Sequence, residues 1–223
     1  MGTAAGAHAV KHGVRVKFCG FTNVEDVRAA VALGVDAIGL VFVPASKRRV
    51  GIGRAQDIVA AVPPFVTTVG LFLDAPADEV ARVLAAVPLD LLQFHGSEPP
   101  EQCAAFGRPY LKALAMGDGI DAVAAASRYA GARGILLDAH RSGEQGGSGL
   151  RFDWSRIPPE LAPRIVLAGG LAADNVAAAI AAVHPYAVDV ASGIESAPGQ
   201  KCPARMQAFM NEVERAARES RPG

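Results

Sequence analysis

Short apolar runs recur along this chain at an almost constant interval, and each is followed by a stretch with helical spacing. The runs fall at 16–19, 36–43, 65–73, 89–94, 109–115, 133–138, 164–168 and 186–190. Helical patterns are predicted between them at 22–34, 54–62, 76–87, 100–106, 119–129 and 174–183, with a short helical piece near Trp154 and a last helix over 203–219. The runs are apolar nearly throughout, as strands buried on both faces should be. Their repeat is roughly 24 residues, the span of a compact βα unit. Eight such units predict a parallel eight-stranded sheet closed into a single (β/α)8 TIM barrel, near the small end of that fold's range. A doubly wound open sheet is the competing architecture. It carries fewer strands and a glycine-rich first turn, whereas the turn here is Cys19-Gly20-Phe21-Thr22-Asn23, which lacks the GxGxxG pattern.

The remaining sequence fits one catalytic domain over 14–220, preceded by a flexible tail over 1–13 rich in Ala, Gly and His. Nothing in that tail reads as a signal peptide, and no apolar stretch is long enough to span a bilayer. Lys+Arg and Asp+Glu are equal at 22 each, which argues against a nucleic-acid or membrane-surface binder. Three scattered cysteines, Cys19, Cys103 and Cys202, make neither a disulfide framework nor zinc-ligand spacing. A reduced, cytoplasmic protein is expected.

A TIM barrel gathers its chemistry at the C-terminal ends of the strands, and those ends can be read off the repeat. They carry Cys19, Ser46-Lys47-Arg48-Arg49, Asp74, His95-Gly96, Asp138, Gly169-Gly170 and Ser192-Gly193. Polar and glycine residues therefore crowd one rim of an apolar fold. Strand alternation puts Lys17 on the face of Cys19 and Gln93 on that of His95. Lys17, Lys112, Asp138 and Asp189 are expected to point inward and compensate one another near the mouth, because such groups are rarely buried unpaired. The Gly169-Gly170 and Ser192-Gly193 loops, after strands 7 and 8, are candidates for a phosphate site.

These stretches resemble the phosphoribosylanthranilate isomerase family of tryptophan biosynthesis. The likeness begins with Lys17-Phe18-Cys19-Gly20-Phe21-Thr22, which is similar to the family's KICGIT signature. It continues through Gly39-Leu40-Val41-Phe42 with Ser46-Lys47-Arg48, Gly70-Leu71-Phe72, Leu92-Gln93-Phe94-His95-Gly96 and Leu137-Asp138. Gly146-Gly147-Ser148-Gly149 with Phe152-Asp153-Trp154, Leu167-Ala168-Gly169-Gly170-Leu171, and 189–195 with Pro198-Gly199 complete it. Phe18, Phe21, Arg49 and Cys202, which follows Lys201 where the family commonly has Asp, depart from the usual family pattern.

The resemblance implies a cofactor-independent, metal-free Amadori rearrangement of N-(5-phosphoribosyl)anthranilate to the 1-deoxyribulose isomer. It implies Cys19 as general base, Asp138 as general acid and Arg48 as ligand of the anthranilate carboxylate. Gly169, Gly170, Ser192 and Gly193 match the phosphate loops, and Asp189 and His95 are further candidates for contact with substrate. The expected partner is the small phosphosugar–anthranilate substrate, with the protein a monomer or homodimer. Cys19 requires some thiolate character, for which Lys17 is the candidate source, so Lys17 is expected nearer Cys19 than Asp138. Two other functions compete: a metal-dependent phosphosugar epimerase, and a non-catalytic phosphate-binding barrel. The first needs metal-binding histidines with carboxylates at strand ends, and the second gives no reason to hold Cys19 and Asp138 on one rim.

Overall fold

The computed structural model describes residues 13–116, 121–138 and 153–219. Eight parallel strands close into a barrel in sequence order. They are β1 (Arg15–Cys19), β2 (Ala37–Val41), β3 (Thr67–Phe72), β4 (Leu91–Phe94), β5 (Tyr110–Ala115), β6 (Gly134–Asp138), β7 (Ile165–Leu167) and β8 (Ala187–Val190). Closure is made by β1 and β8, with Lys17 opposite Asp189. The helices are α1 (Val24–Ala32), α2 (Ile52–Ala60), α3 (Ala77–Ala86), α4 (Pro100–Ala104), α5 (Ala122–Arg128), α6 (Val176–Val183) and α7 (Pro203–Glu219). Among the described residues no helix is long and apolar enough to cross a membrane.

Local chemistry sets these elements. Asn23 caps α1, its Oδ1 accepting from the Asp26 amide at 2.8 Å. Thr22 donates to the Gly199 carbonyl at 2.6 Å. Asp121 caps α5 by accepting from the Val123 and Ala124 amides. Before β7 the chain makes two 3₁₀ segments, Trp154–Arg156 and Pro159–Arg164. Pro163, inside the second segment, lacks the amide an α-helix would need there.

Alternation along the strands sorts side chains between two cores. Outward residues such as Phe18, Ile38, Leu40, Phe72, Leu92, Leu137 and Val188 meet the helices in the main apolar layer. Phe18 packs edge-on against Phe209 of α7, with ring centroids 5.8 Å apart, which accounts for an aromatic at that position. Inward residues Leu111, Ala113, Leu136, Val166, Ala168 and Ala187 fill one part of the barrel interior with a small second cluster. Toward the C-terminal rim Cys19, Gln93, Asp138 and Asp189 join Val41 and Leu71 around a cavity. The tail expected over 1–13 falls outside the described residues except for Gly13, as does the 140–149 loop.

Beyond β8 the structure adds an element absent from the simple repeat. After a 3₁₀ turn, Ser192–Ile194, a hairpin of β9 (Glu195–Ala197) and β10 (Gln200–Lys201) turns at Pro198-Gly199 and leans over the rim. Gly199 has φ +82°, and a Cβ there would meet the Lys47 carbonyl oxygen at 3.2 Å and Thr22 at 3.3 Å. The hairpin is thus pressed between the loops that follow β1 and β2.

Candidate active site

A cavity of about 340 Å³ opens at the C-terminal rim. Cys19, Arg48, His95, Asp138, Gly169, Gly170, Asp189 and Ser192 all line it, so eight of the nine residues picked from the sequence meet in one place. Gly193 does not line it. Its missing side chain serves packing instead, since a Cβ there would overlap the Leu171 carbonyl oxygen of the preceding rim loop.

Cys19 is 5% exposed, at the last position of β1. Gly39 on the neighbouring strand makes room for it: a Cβ at Gly39 would lie 2.6 Å from the Cys19 Sγ and 3.1 Å from the Lys17 Nζ. Lys17 and Cys19 therefore crowd over one bare backbone position. Lys17 donates to Asp189 Oδ1 at 2.8 Å, across the seam that closes the barrel. Burial opposes charge on Lys17, but Asp189 and Cys19 outweigh it, and its pKa ends raised. Burial also pushes the Cys19 thiol up; Lys17 and Lys201 oppose that push and Asp189 adds to it, leaving the thiol above its ordinary value. Lys17 makes a side-chain hydrogen bond to Cys19, in line with the expected pairing of the two. The expected depression of the thiol does not, because burial is the larger effect.

Asp138 ends β6 and is 7% exposed. His95 Nε2 lies 3.5 Å from its Oδ2. The other ring nitrogen, Nδ1, is 3.1 Å from Gln93 Nε2. Gln93 holds one ring nitrogen of His95 while the other faces Asp138. Gln93 and His95 thus share a face, as alternation requires, and together they support the carboxyl group.

The four inward charges expected near the mouth are corrected in one member. Lys112 points outward, away from Leu111 and Ala113, which fill the barrel interior. Its ammonium donates to Glu98 Oε2 at 2.9 Å, to the Gly96 carbonyl at 2.5 Å and to the Phe94 carbonyl at 3.3 Å. Glu98 in turn accepts from the amides of Asp74 at 2.8 Å and Gly96 at 2.9 Å. This buried pair ties together the segments flanking His95. Cys103, on α4, is buried, and burial pushes its pKa up to about 11.

Arg48 reaches the cavity from the loop after β2. Its Nε and Nη2 donate to the two oxygens of Glu195 at 2.8 and 2.7 Å. Lys201, whose side chain has no exposed area, donates to Glu195 Oε1 at 2.8 Å and to the Cys19 carbonyl at 2.5 Å. Glu195 and Lys201 were not picked from the sequence, although Pro198-Gly199 between them is an ordinary hairpin-turn signal. On the far side of the cavity, Gly169 and Gly170 adopt φ of +85° and +64°. Asn175 holds their loop, donating to the Gly170 carbonyl and accepting from the Ala172 amide, both at 2.9 Å. Among the described residues no group of three or more His, Cys, Asp or Glu is arranged to hold a metal ion.

Comparison with known proteins agrees with this geometry. The profile of the N-(5'phosphoribosyl)anthranilate (PRA) isomerase family matches residues 16–212. An N-(5'-phosphoribosyl)anthranilate isomerase of Pseudomonas aeruginosa is 56% identical over 200 residues, covering 90% of this chain and 95% of the relative. The crystal structure of phosphoribosyl anthranilate isomerase from Thermus thermophilus superposes with a TM-score of 0.80 at 39% identity, covering 90% of this chain and 98% of the other. A phosphoribosyl anthranilate isomerase solved with reduced 1-(o-carboxyphenylamino)-1-deoxyribulose 5-phosphate superposes with a TM-score of 0.73 at 35% identity, again covering 90% and 98%. This chain belongs to the N-(5'-phosphoribosyl)anthranilate isomerase family.

Proposed function

We propose that this isomerase of tryptophan biosynthesis carries out its Amadori rearrangement with Cys19 as general base and Asp138 as general acid. The observation that carries the reading is their placement: a thiol and a carboxyl group from β1 and β6 line one cavity, each nearly buried. Asp138 gives a proton to the furanose ring oxygen as the ring opens to a Schiff base. Cys19 takes the proton from C2 of that intermediate. The resulting enolamine gains a proton at C1 and loses one from its C2 hydroxyl, which leaves the ketone. The sequence moves protons only, so a donor and an acceptor suffice.

Binding is divided between the two sides of the cavity. Backbone amides of the Gly169-Gly170 and Ser192-Gly193 loops receive the phosphate, where glycine permits close approach. Arg48 receives the anthranilate carboxylate through its planar donor fork. The substrate analogue bound to a relative carries both a phosphate and an aryl carboxylate, which supports that division. Lys17 and Lys201 flank Cys19 and favour its thiolate against the cost of burial.

The test follows the loss of anthranilate-type fluorescence from freshly made substrate. Cys19→Ser and Asp138→Asn should each lower kcat by roughly 10²–10⁴-fold. Turnover at the wild-type rate in either variant removes that residue from its role.

A further inference from the structure

Glu195 lies one residue beyond the rim turn after β8 and is fully enclosed, with its side chain 4% exposed. It accepts from Arg48 Nε and Nη2, from Lys201 Nζ, and from the Gly199 amide at 3.3 Å. We infer that Glu195 is a positioning residue that aims the Arg48 guanidinium into the cavity and thereby sets affinity for the carboxylate-bearing half of the substrate. The inference rests on the reading of Arg48 given above.

Three observations carry it. The first is the double contact. Two parallel N–H···O bonds between a guanidinium and a carboxylate fix the plane and the direction of the fork, where a single bond would fix only a distance. The second is which partner is anchored. Arg48 comes from a loop, and its stem crosses the end of β1 only because Gly20 has no side chain; a Cβ there would lie 2.5 Å from the Arg48 Cδ. Glu195 is on a strand, and Lys201 pins its carboxylate from behind. Lys201 itself donates to the carbonyls of Cys19 at 2.5 Å and Ala191 at 3.3 Å. Its ammonium also sits over the Phe21 ring, 5.5 Å from the centroid. The carboxylate is therefore the fixed member, and the arginine follows it.

The third observation is charge. Arg48 and Lys201 are two cations around one anion, so the three groups sum to one positive charge beside the cavity. That charge attracts an incoming carboxylate to the Arg48 fork. The same network ends on the Cys19 carbonyl, so the group that aims Arg48 also holds the backbone of the proposed base.

The experiment measures kcat and KM with the full substrate. It also measures inhibition constants for two fragments, anthranilate as the carboxylate probe and inorganic phosphate as the other. Glu195→Gln removes the charge and puts an amide against two cations. It should raise KM and the anthranilate constant by about 10-fold or more, as loss of a binding interaction held throughout the reaction does, with most of the defect in KM and the phosphate constant unmoved. Glu195→Asp keeps the charge and should recover part of the loss. Should Glu195→Gln fail to fold because Lys201 is left without its counter-charge, Glu195→Gln/Lys201→Met removes both charges and should show the same selective anthranilate defect. An unchanged anthranilate constant in the foldable variant, or equal losses for both fragments, overturns the inference. Arg48→Ala separates the two levels of argument. If it leaves anthranilate inhibition unchanged, the reading of Arg48 fails; if it weakens inhibition and the Glu195 variants do not, only the role of Glu195 fails.

Discussion

Lys17 and Cys19 stand two residues apart on the inward face of β1, and their protonation is set by a contest. Burial penalises the thiolate most; Lys17 is the largest force in the other direction, and Asp189 works against it. The outcome is a thiol above its ordinary 9.0. A base with a raised pKa gains its active, deprotonated form as pH rises through that value, so kcat/KM should climb with pH beyond the ordinary thiol range. Removing Lys17 alone would strand Asp189, so the clean variant is Lys17→Met/Asp189→Asn, which deletes the ion pair as a unit. Because Lys17 outweighs Asp189 at the sulfur, the climb should move to higher pH. A pH–rate profile superposable on the wild type would show that Lys17 does not tune Cys19. The sequence made this pairing legible, since alternation alone put both side chains on one face. The sign of the net shift was not legible, because it depends on how completely the rim excludes water.

The loops after β3 and β4 are joined by one buried ion pair. Glu98 and Lys112 have side chains 1% and 2% exposed, and Glu98 also holds the amides of Asp74 and Gly96. Glu98→Ala should cost about 3–5 kcal/mol, the usual effect of leaving a buried charge without its partner. Urea unfolding checks it, and a loss below about 1 kcal/mol would mean that water reaches Lys112. In the sequence, Glu98 before Pro99-Pro100 reads as an ordinary acid at a helix start, and Lys112 reads as one of several charges inside strands. Alternation says that Lys112 and Leu111 face opposite ways but not which of them faces in. That choice was made by the barrel, where Leu111 fills the interior and Lys112 reaches the rim loop from outside.

Glu195 connects the loop after β2, the end of β1 and the end of β8, so its ionisation bears on the stability of the whole molecule. Burial raises its pKa, but the bonds from Arg48 and the charge of Lys201 overcome this, and the net shift is downward from 4.5. A carboxyl group with a depressed folded pKa contributes stability that is fully present above its unfolded value. That contribution is lost as pH falls through the folded one. Unfolding free energy measured against pH should therefore decline below about 4.5 in the wild type. The decline should be shallower in Glu195→Gln/Lys201→Met. Equal slopes would mean that Glu195 is not held ionised by folding.

The order of apolar runs and helical stretches was enough to determine a closed parallel barrel, because each βα unit is local and must bury both strand faces. It also determined which residues end the strands, and so gathered Cys19, Asp138, Arg48 and the glycine loops on one rim. The β9–β10 hairpin fell outside the repeat and was not expected from it. Only the tertiary structure decided how the charges pair. Lys17 meets Asp189 because β1 closes on β8, Arg48 meets Glu195 because its stem crosses Gly20 to reach that hairpin, and His95 after β4 faces Asp138 on β6. Such pairings join residues up to 172 positions apart. They are fixed by the register of closure and the exclusion of water, neither of which is written in any local stretch of sequence.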